Sequence, residues 1–394
     1  MMADTLDRRM RHDFPQTFTD RVETPCYLLG EDVIVANCRI LETVQQRTGA
    51  KILLALKAFA LPALFPLIAR SLHGVCASGP IEAQLGREEF GREVHTYAPA
   101  YTADQMERVI RYSDHILFNS VAQWHRHREA IAASGREIEV GLRVNPGHSE
   151  VEVDLYNPCL PGSRFGILAK DLDGTDLTGI AGLHFHALCE QGADVLVRVL
   201  ASFEKGFGHF LPRLKWVNFG GGHHITRDDY DLDLLCRTIT EFRMRHGNIA
   251  VYLEPGEAVV LHGGVFVTTV LDTIHNGMDI AILDCSAETH MPDVLAMPYR
   301  PHILGAASPG KLPHTYRLGG ISCLAGDVIG DYSFASPLKV GDRLVLADMA
   351  LYSFVKNTTF NGVELPSLYS FSRENDSLSL LRKFGYADYR NRLA

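Results

Sequence analysis

The segment LKWVNFGGG, residues 214–222, is an apolar strand-like run that ends in three glycines. Seven further strand-like runs lie between residues 51 and 256, and stretches with apolar residues at helical spacing separate them. The eight runs are Lys51–Ala58, Gly74–Ser78, Glu93–Pro99, His115–Ser120, Glu137–Pro146, Ile180–Leu188, Leu214–Gly222 and Ile249–Gly256. Eight consecutive βα units predict an α/β fold of the (β/α)8 TIM-barrel type, whose active site lies at the carboxyl ends of the strands.

Chemically reactive residues stand at the carboxyl ends of four of these runs. Lys57 ends the first run, His186 the sixth, the glycine triplet 220–222 the seventh and Glu254 the eighth. Pyridoxal phosphate requires four kinds of group: an amine, an imidazole, a carboxylate, and glycine amides that can approach its phosphate. The sequence therefore predicts a pyridoxal-phosphate site at the mouth of the barrel.

Each of these residues also has an ordinary structural interpretation. Lys57 stands among apolar neighbours, where burial would lower the pKa of its amine, but a strand-end lysine that extends into solvent is the commoner case. The triplet 220–222 and Gly256 suit the phosphate site that loops after strands seven and eight often build, although a tight turn also uses glycine. Glu254 would keep a pyridine nitrogen protonated, or it would form a structural ion pair.

A metal-dependent hydrolase is the rival interpretation of the same barrel. His184 and His186 have the spacing of a metal-ligand pair, and His223 and His224 could extend the set. The runs at strands two to four end in serine, proline and serine, which are poor metal ligands. We therefore predict no metal site, with His186 stacked on the cofactor ring and His184 as a core histidine.

The interval between the fifth and sixth runs is abnormal. Residues 147–171, GHSEVEVDLYNPCLPGSRFGILAKD, are rich in glycine, proline and polar residues and lack a helical period. Long insertions at the catalytic end of a barrel are usually binding loops, so we predict one here.

The chain after residue 256 alternates apolar and polar residues with a period of two, which predicts an all-β C-terminal domain. The strand at residues 24–30 is a candidate to join it, since chain termini often meet. A glycine-rich segment of this domain holds Cys323, which could deliver a proton, and Asp327, which could bind an ammonium group; a buried, inert cysteine is the commoner case. The predicted regions are a lead-in over 1–23, the barrel domain over 24–258 and the β domain over 259–394.

The composition indicates a protein of the reducing cytoplasm. The 47 acidic and 38 basic residues give a formal charge of −9, which disfavours nucleic-acid binding and favours a cationic substrate. The 8 cysteines form no CxxC pair, which suits free thiols. The polar N-terminus lacks the apolar core of a signal peptide, and no run reaches the roughly 18 apolar residues that would span a membrane.

Together these motifs resemble the fold-type-III pyridoxal-phosphate decarboxylases, the family that contains ornithine and diaminopimelate decarboxylases. The resemblance covers nearly the whole chain from about residue 24 to 370. It implies that Lys57 binds the cofactor covalently, that Glu254 holds the pyridine nitrogen and that Cys323 acts in catalysis. The other residues that it assigns to cofactor binding are Ser163, His186, Gly220, Gly221, Gly222, Gly256 and Tyr352.

Two departures from the family pattern narrow the substrate. The usual EPGR is EPGE here, so Glu257 replaces an arginine, and Leu324 replaces an acid that usually stands close to the cysteine. Both departures, and segments such as SAETHMPDVLAMPYRP, resemble the branch that decarboxylates carboxylated polyamines such as carboxynorspermidine and carboxyspermidine. That resemblance implies a homodimer with shared active sites, in which Glu257, Asp293 and Asp327 bind the substrate's amines.

Three alternatives stay open at this point. A diaminopimelate decarboxylase shares the scaffold but should keep cationic groups for a second carboxylate, which Glu257 contradicts. An alanine-racemase-like enzyme would use two bases, and a non-catalytic carrier of pyridoxal phosphate would need the barrel alone. The sequence does not choose between carboxynorspermidine and carboxyspermidine, because one methylene group is worth only about 1–3 kcal/mol of discrimination.

Overall fold

The first described residues form a short helix that is followed by a buried strand. The computed structural model describes residues 16–297 and 299–393, so most of the predicted lead-in, residues 1–15, lies outside the described residues. Helix α1 (Gln16–Thr19) is followed by strand β1 (Cys26–Gly30), and all five side chains of β1 are buried.

Strand β1 is a central strand of a sheet outside the barrel, so the assignment of residues 24–35 to the barrel domain was wrong. It pairs antiparallel with residues 264–267 and parallel with residues 367–371, and these two neighbours satisfy its backbone on both sides. The described chain accordingly divides into one unit of residues 36–259, called the barrel unit, and one of residues 16–35, 260–297 and 299–393, called the β unit.

Eight consecutive parallel strands close into a barrel within the barrel unit, which confirms the predicted fold. Each strand pairs with the next along the chain, and the last closes the ring onto the first through Tyr252 and Lys51. The strands are β2 (Lys51–Ala55), β3 (Gly74–Ala77), β4 (Glu93–Tyr97), β5 (His115–Phe118), β6 (Glu139–Arg143), β7 (Gly182–His184), β8 (Trp216–Asn218) and β9 (Ala250–Leu253).

Helices connect these strands, and the sequence marks several of their ends. Thr102 accepts a hydrogen bond from the Gln105 N–H, and the Gln105 side chain accepts one from the Thr102 N–H, which is a capping box. The helices from residue 31 to 260 are α2 (Glu31–Thr48), α3 (Phe65–Ile68), α4 (Pro80–Leu85), α5 (Ala103–Tyr112), α6 (Val121–Ala133), α7 (Ala169–Leu172), α8 (Ala193–Phe207), α9 (Leu232–Arg245) and α10 (Glu257–Val260).

Side chains fill the interior of the barrel. Trp216 is 1% exposed and clusters with Leu53 and Tyr252. Its indole ring lies on Gly141 and Gly182, where a Cβ atom would approach ring carbons to less than 3.0 Å. Glycine is required at both positions because the tryptophan occupies the space of a side chain.

The β unit contains the predicted all-β domain. Its strands after residue 260 are β10 (Gly264–His275), β11 (Asp279–Leu283), β12 (His314–Gly319), β13 (Val328–Phe334), β14 (Arg343–Ala347), β15 (Ser367–Ser372) and β16 (Ser377–Arg382). They form a sheet with β1 in the order β13-β12-β11-β10-β1-β15-β16, and β14 also pairs with β10. Its helices after residue 260 are α11 (Ala287–His290), α12 (Asp293–Ala296), α13 (Ser353–Lys356) and α14 (Tyr386–Leu393). Among the described residues, no helix combines the length and the apolar character needed to cross a bilayer.

Candidate active site

Four neighbouring strands place the predicted reactive residues along one arc of the barrel mouth. The strands follow one another in the order β7, β8, β9 and β2 around the closed ring. His186 follows β7, the glycine triplet follows β8, Glu254 follows β9 directly, and Lys57 lies in the turn after β2. Because the strands are parallel, their carboxyl ends meet on one face, and these residues come together as the sequence predicted.

Glu254 is an ionised carboxylate held by two neighbours. Its side chain is 12% exposed, its Oε1 accepts a hydrogen bond from the Asn218 side chain at 2.7 Å, and its Oε2 lies 3.3 Å from His184 Nε2. Burial by itself raises the pKa of Glu254, but His184 and the Asn218 hydrogen bond outweigh it and lower that pKa to about 2. The site therefore holds a buried negative charge at the mouth of the barrel.

His186 is fixed in one tautomer by the glycine triplet. The Gly221 N–H donates to His186 Nδ1 at 2.8 Å, so Nδ1 is an acceptor and Nε2 carries the proton of the neutral ring. Desolvation by the surrounding protein, followed by the positive charges of Lys57 and Arg143, holds the pKa of His186 well below its ordinary value. A neutral, oriented imidazole is thus available to stack on a ring.

The glycine triplet is required for close packing as well as for any anion. A Cβ atom at Gly220 or Gly221 would approach backbone atoms of Phe185 or Glu254 to less than 3.0 Å, and Gly222 has a φ of +84°. Two of the three amides are used internally, since Gly220 N–H donates to Asn218 Oδ1 and Gly221 N–H donates to His186. Among the described residues, the Gly222 N–H donates to no group and is the amide of the triplet that suits a phosphate.

Lys57 is exposed at the mouth, so the expectation of a buried amine at this position was wrong. The strand ends at Ala55 and the chain turns, which carries Lys57 out of the apolar layer that its neighbours suggested. Gly256 packs against this turn, where a Cβ atom would meet the side chain of Ala58 at less than 3.0 Å. Lys57 and Gly256 are therefore neighbours, as a shared cofactor would require.

Arg143 is a site residue that the sequence reasoning missed. It ends β6, is 6% exposed and lies over the rings of Tyr97 at 4.6 Å and Phe165 at 4.4 Å. Its Nη2 donates to the His186 carbonyl at 3.4 Å, and burial lowers the pKa of its guanidinium. The signal was available, since an arginine at the end of a barrel strand follows the same rule that singled out Lys57.

The abnormal insertion is fastened to the barrel at its second half. Asn119, which follows β5, accepts a hydrogen bond from the Gly166 N–H and donates to the Arg164 carbonyl, each at 2.7 Å. Ser163 lies just before this anchor, and its Oγ accepts the Phe165 N–H at 3.2 Å. The SRFG motif is thereby held beside Arg143, and the role of Ser163 in phosphate binding stays a prediction.

A group of one imidazole and two carboxylates lies on the loops after β7, β8 and β9. His224 Nε2 is 2.8 Å from Glu257 Oε2, and the carboxylate of Glu190 completes a group whose ligand atoms all lie within 4.8 Å of one another. The Gln191 N–H donates to the Gly222 carbonyl, which brings the Glu190 loop beside His224. This arrangement concentrates negative charge on the loops after β7, β8 and β9.

The geometry of the HFH pair does not favour the metal interpretation. His186 Nδ1 accepts a hydrogen bond from the Gly221 amide, and His184 Nε2 faces Glu254. Among residues 16–297 and 299–393, neither histidine belongs to a group of three side chains whose ligand atoms lie close enough to hold one metal ion. A second group, Glu93 with His95 and His115, lies at the opposite end of the barrel. Its two imidazole rings stack at 3.8 Å with 11° between their planes, so they cannot both direct a lone pair at one ion.

Within the β unit, Cys323 is exposed and Asp327 is buried. Both oxygens of the Asp327 carboxylate accept backbone hydrogen bonds, from Ala287 at 2.6 Å and from Ser322 at 3.0 Å. The carboxylate is therefore not open to a substrate amine, and we reassign Asp327 from substrate binding to support of the loop that carries Cys323.

Asp293 and Tyr352 lie close to each other in the β unit. The carboxylate of Asp293 accepts two hydrogen bonds from the Lys356 ammonium, at 2.7 and 2.8 Å, and that ammonium lies 5.1 Å from the centre of the Tyr352 ring. A substrate amine would have to replace Lys356 at Asp293. The substrate role of Asp293 and the phosphate role of Tyr352 stay predictions.

Comparison with known proteins decides the family. A family model described as pyridoxal-dependent decarboxylase, C-terminal sheet domain, matches residues 100–350, well over half of the chain. The chain belongs to the pyridoxal-dependent decarboxylases. It is therefore an enzyme, a pyridoxal-dependent carboxy-lyase, and the resemblance inferred from the motifs is confirmed.

Relatives of this decarboxylase act on polyamine-like substrates. A carboxyaminopropylagmatine decarboxylase from Synechocystis sp. is 46% identical over 371 residues, covering 94% of this chain and 95% of its own. A carboxynorspermidine/carboxyspermidine decarboxylase from Campylobacter jejuni is 43% identical over 383 residues, covering 94% and 99%. The crystal structure of carboxynorspermidine decarboxylase complexed with norspermidine, also from C. jejuni, has a TM-score of 0.87 and 42% identity, and covers 94% of this chain and 100% of its own.

Proposed function

We propose that this decarboxylase uses pyridoxal 5′-phosphate to remove CO2 from a carboxylated polyamine or a closely related guanidine. The observation that carries the proposal is the arc of His186, the glycine triplet, Glu254 and Lys57, which follow β7, β8, β9 and β2 in turn. The relatives of this chain act on such compounds. Carboxynorspermidine and carboxyspermidine are the substrates that the sequence suggests. The relative from Synechocystis adds carboxyaminopropylagmatine, which the sequence reasoning did not consider.

The residues present fit the cofactor. The ionised Glu254 would hold a protonated pyridine nitrogen, and the exposed amine of Lys57 would bind the aldehyde carbon. The amides of Gly222 and Gly256 would hold the phosphate, with Ser163 as a further hydroxyl donor. When bound, pyridoxal phosphate supplies a sink for the electron pair that the departing carboxylate leaves behind.

The protein's own groups then have distinct tasks. Glu254 keeps a proton on the ring nitrogen, because its lowered pKa leaves the carboxylate ionised at neutral pH. His186, held by Gly221, would stack on the ring and help to exclude water from it. Cys323 is the candidate donor of the proton that replaces the carboxylate on Cα, and Lys57 is the second candidate.

The acidic group at the mouth supports a substrate with a cationic end. Glu257 and Glu190, with His224 between the loops, present negative charge within the same unit as Lys57. An ammonium or a guanidinium group would be attracted there, whereas the second carboxylate of diaminopimelate would be repelled. A guanidinium could bind two carboxylate oxygens at once, which distinguishes the agmatine derivative from the polyamines.

The proposal includes the expected assembly and compartment. The homodimer with shared active sites follows from the resemblance to the family. A cytoplasmic location is supported by the eight cysteines, all of which are free.

The test is CO2 release by the purified protein with added pyridoxal phosphate. Carboxynorspermidine, carboxyspermidine, carboxyaminopropylagmatine and diaminopimelate would be compared at equal concentration. Release from one or more of the first three, with little from diaminopimelate, would support the proposal, and the ratios of kcat/KM would identify the substrate. Release mainly from diaminopimelate would overturn it.

A pair of variants tests the acidic group separately. Glu257→Gln should raise KM for the cationic substrates with little change in kcat, because the lost charge acts in binding. Glu241→Gln, an exposed carboxylate on α9, makes the same change of charge away from the mouth and is the matched control. Equal kinetics for the two variants would remove Glu257 from the substrate site.

A further inference from the structure

The loop at residues 320–327, between β12 and β13, is held by a buried carboxylate. Asp327 is 4% exposed, and its two oxygens join the Ser322 amide of the loop to the Ala287 amide at the start of α11. Gly320 leaves room for this carboxylate, since a Cβ atom there would lie less than 3.0 Å from it. The base of the loop is therefore fixed, while the positions around Cys323 are exposed.

A second contact holds the exposed part of the loop at the cysteine itself. The Cys323 N–H donates to Asn361 Oδ1 at 2.8 Å. Asn361 has φ +57° and ψ +11°, the left-handed conformation that asparagine tolerates better than other non-glycine residues. Its side-chain carbonyl is thus held facing a loop distant in sequence, although Asn361 is itself exposed.

We propose that Asn361 and Asp327 are positioning residues that hold Cys323 in one orientation for proton delivery. The inference rests on the proposed function, in which the S–H bond of Cys323 breaks and its proton joins Cα with the electron pair left by CO2. The thiolate then regains a proton from water. A trigonal carbon accepts a hydrogen on either face, so in D2O a fixed donor gives a CHD centre of one configuration and a loosely held donor gives both.

The first experiment measures the contact without reference to activity. Asn361→Gly removes the acceptor and keeps the left-handed backbone, Asn361→Asp restores an acceptor, and Gly326→Ala alters the same loop at an open position. Hydrogen exchange of the Cys323 amide in the holoenzyme should quicken on the order of tenfold in Asn361→Gly and stay near the wild-type rate in the other two. Unchanged exchange in Asn361→Gly would overturn the inference.

The second experiment measures the consequence for the reaction. In D2O, the product amine should carry one deuterium on the former Cα, in a single configuration for the wild type and a mixture for Asn361→Gly. We expect kcat to fall on the order of tenfold with little change in KM, and Asn361→Asp to restore both kcat and configuration. A change in overall stability would alter neither the configuration nor its rescue by aspartate.

The outcomes separate this inference from the proposed function. If the wild type releases no CO2 from any of the four compounds, the proposed function fails, and the assignment to proton delivery fails with it. If the wild type is active and Asn361→Gly exchanges faster yet keeps a single configuration and normal kcat, only the positioning role is overturned. Asp327→Asn, which keeps one carbonyl acceptor, should give the same pattern as Asn361→Gly in a milder form.

Discussion

Replacing Gly182 by alanine should destabilise the barrel strongly, because the new methyl group would enter the space of an indole ring. Its Cβ would lie less than 3.0 Å from three ring carbons of Trp216. An ordinary carbon–carbon contact is about 3.5–4.0 Å, so the ring would have to move by more than about 0.5 Å. Trp216 is 1% exposed and packs against Leu53, Leu117 and Tyr252, which leave it nowhere to move. We expect a loss of about 3 kcal/mol in the free energy of unfolding, the upper part of the range for overpacked cores.

The assay is unfolding in urea, followed by far-ultraviolet circular dichroism on the holoenzyme. Gly208→Ala is the matched control, because Gly208 has φ −57° and a Cβ there meets nothing within 4 Å. This control should be unchanged or more stable by up to about 1 kcal/mol. Trp216→Leu alone should cost about 3 kcal/mol, but combined with Gly182→Ala it should relieve the clash.

The double variant decides whether the clash is the cause. Its loss of stability should be at least about 2 kcal/mol smaller than the sum of the two single losses, because the residues share one space. Strict additivity, or a Gly182→Ala variant as stable as Gly208→Ala, would show that no clash with Trp216 occurs.

Three further predictions concern charge and capping. Glu254→Gln should lower the unfolding free energy at pH 7 by about 3 kcal/mol, because the pKa of the Glu254 carboxyl falls from 4.5 to about 2 on folding. In urea titrations, the difference in unfolding free energy between wild type and variant should narrow as the pH falls from 4.5 towards 2. Glu93→Gln should lower the unfolding free energy at pH 7 by about 2 kcal/mol, measured by calorimetry, because the carboxylate that meets His95 Nε2 at 2.6 Å is lost. The hydrogen bonds from His73 and His95 hold the pKa of Glu93 well below its ordinary value, so this loss of stability should shrink only when the pH falls below the unfolded pKa of 4.5. Thr102→Ala should cost about 1 kcal/mol in urea and speed amide exchange at Gln105, and an unchanged exchange rate there would argue against the cap.

The local pattern of the sequence was enough for the barrel and for the residues at its mouth. Strand and helix periods are read over a few residues, and a parallel barrel has one catalytic face, so Lys57, His186 and Glu254 had to meet once the eight runs were recognised. The same rule would have found Arg143 at the end of β6, had it been applied to every strand.

The contacts of each group depend on the folded chain. The local pattern of a five-residue apolar strand such as β1 does not specify its sheet, and only the usual proximity of chain termini suggested the β domain. Its pairing with residues more than two hundred positions away placed it in the β unit. Likewise, only the folded chain shows that Lys57 is exposed and that the Asp327 carboxylate is used by backbone amides. Periodicity is a property of neighbours along the chain, whereas burial and hydrogen-bond partners are set by segments that meet only after the sheet and the barrel have closed.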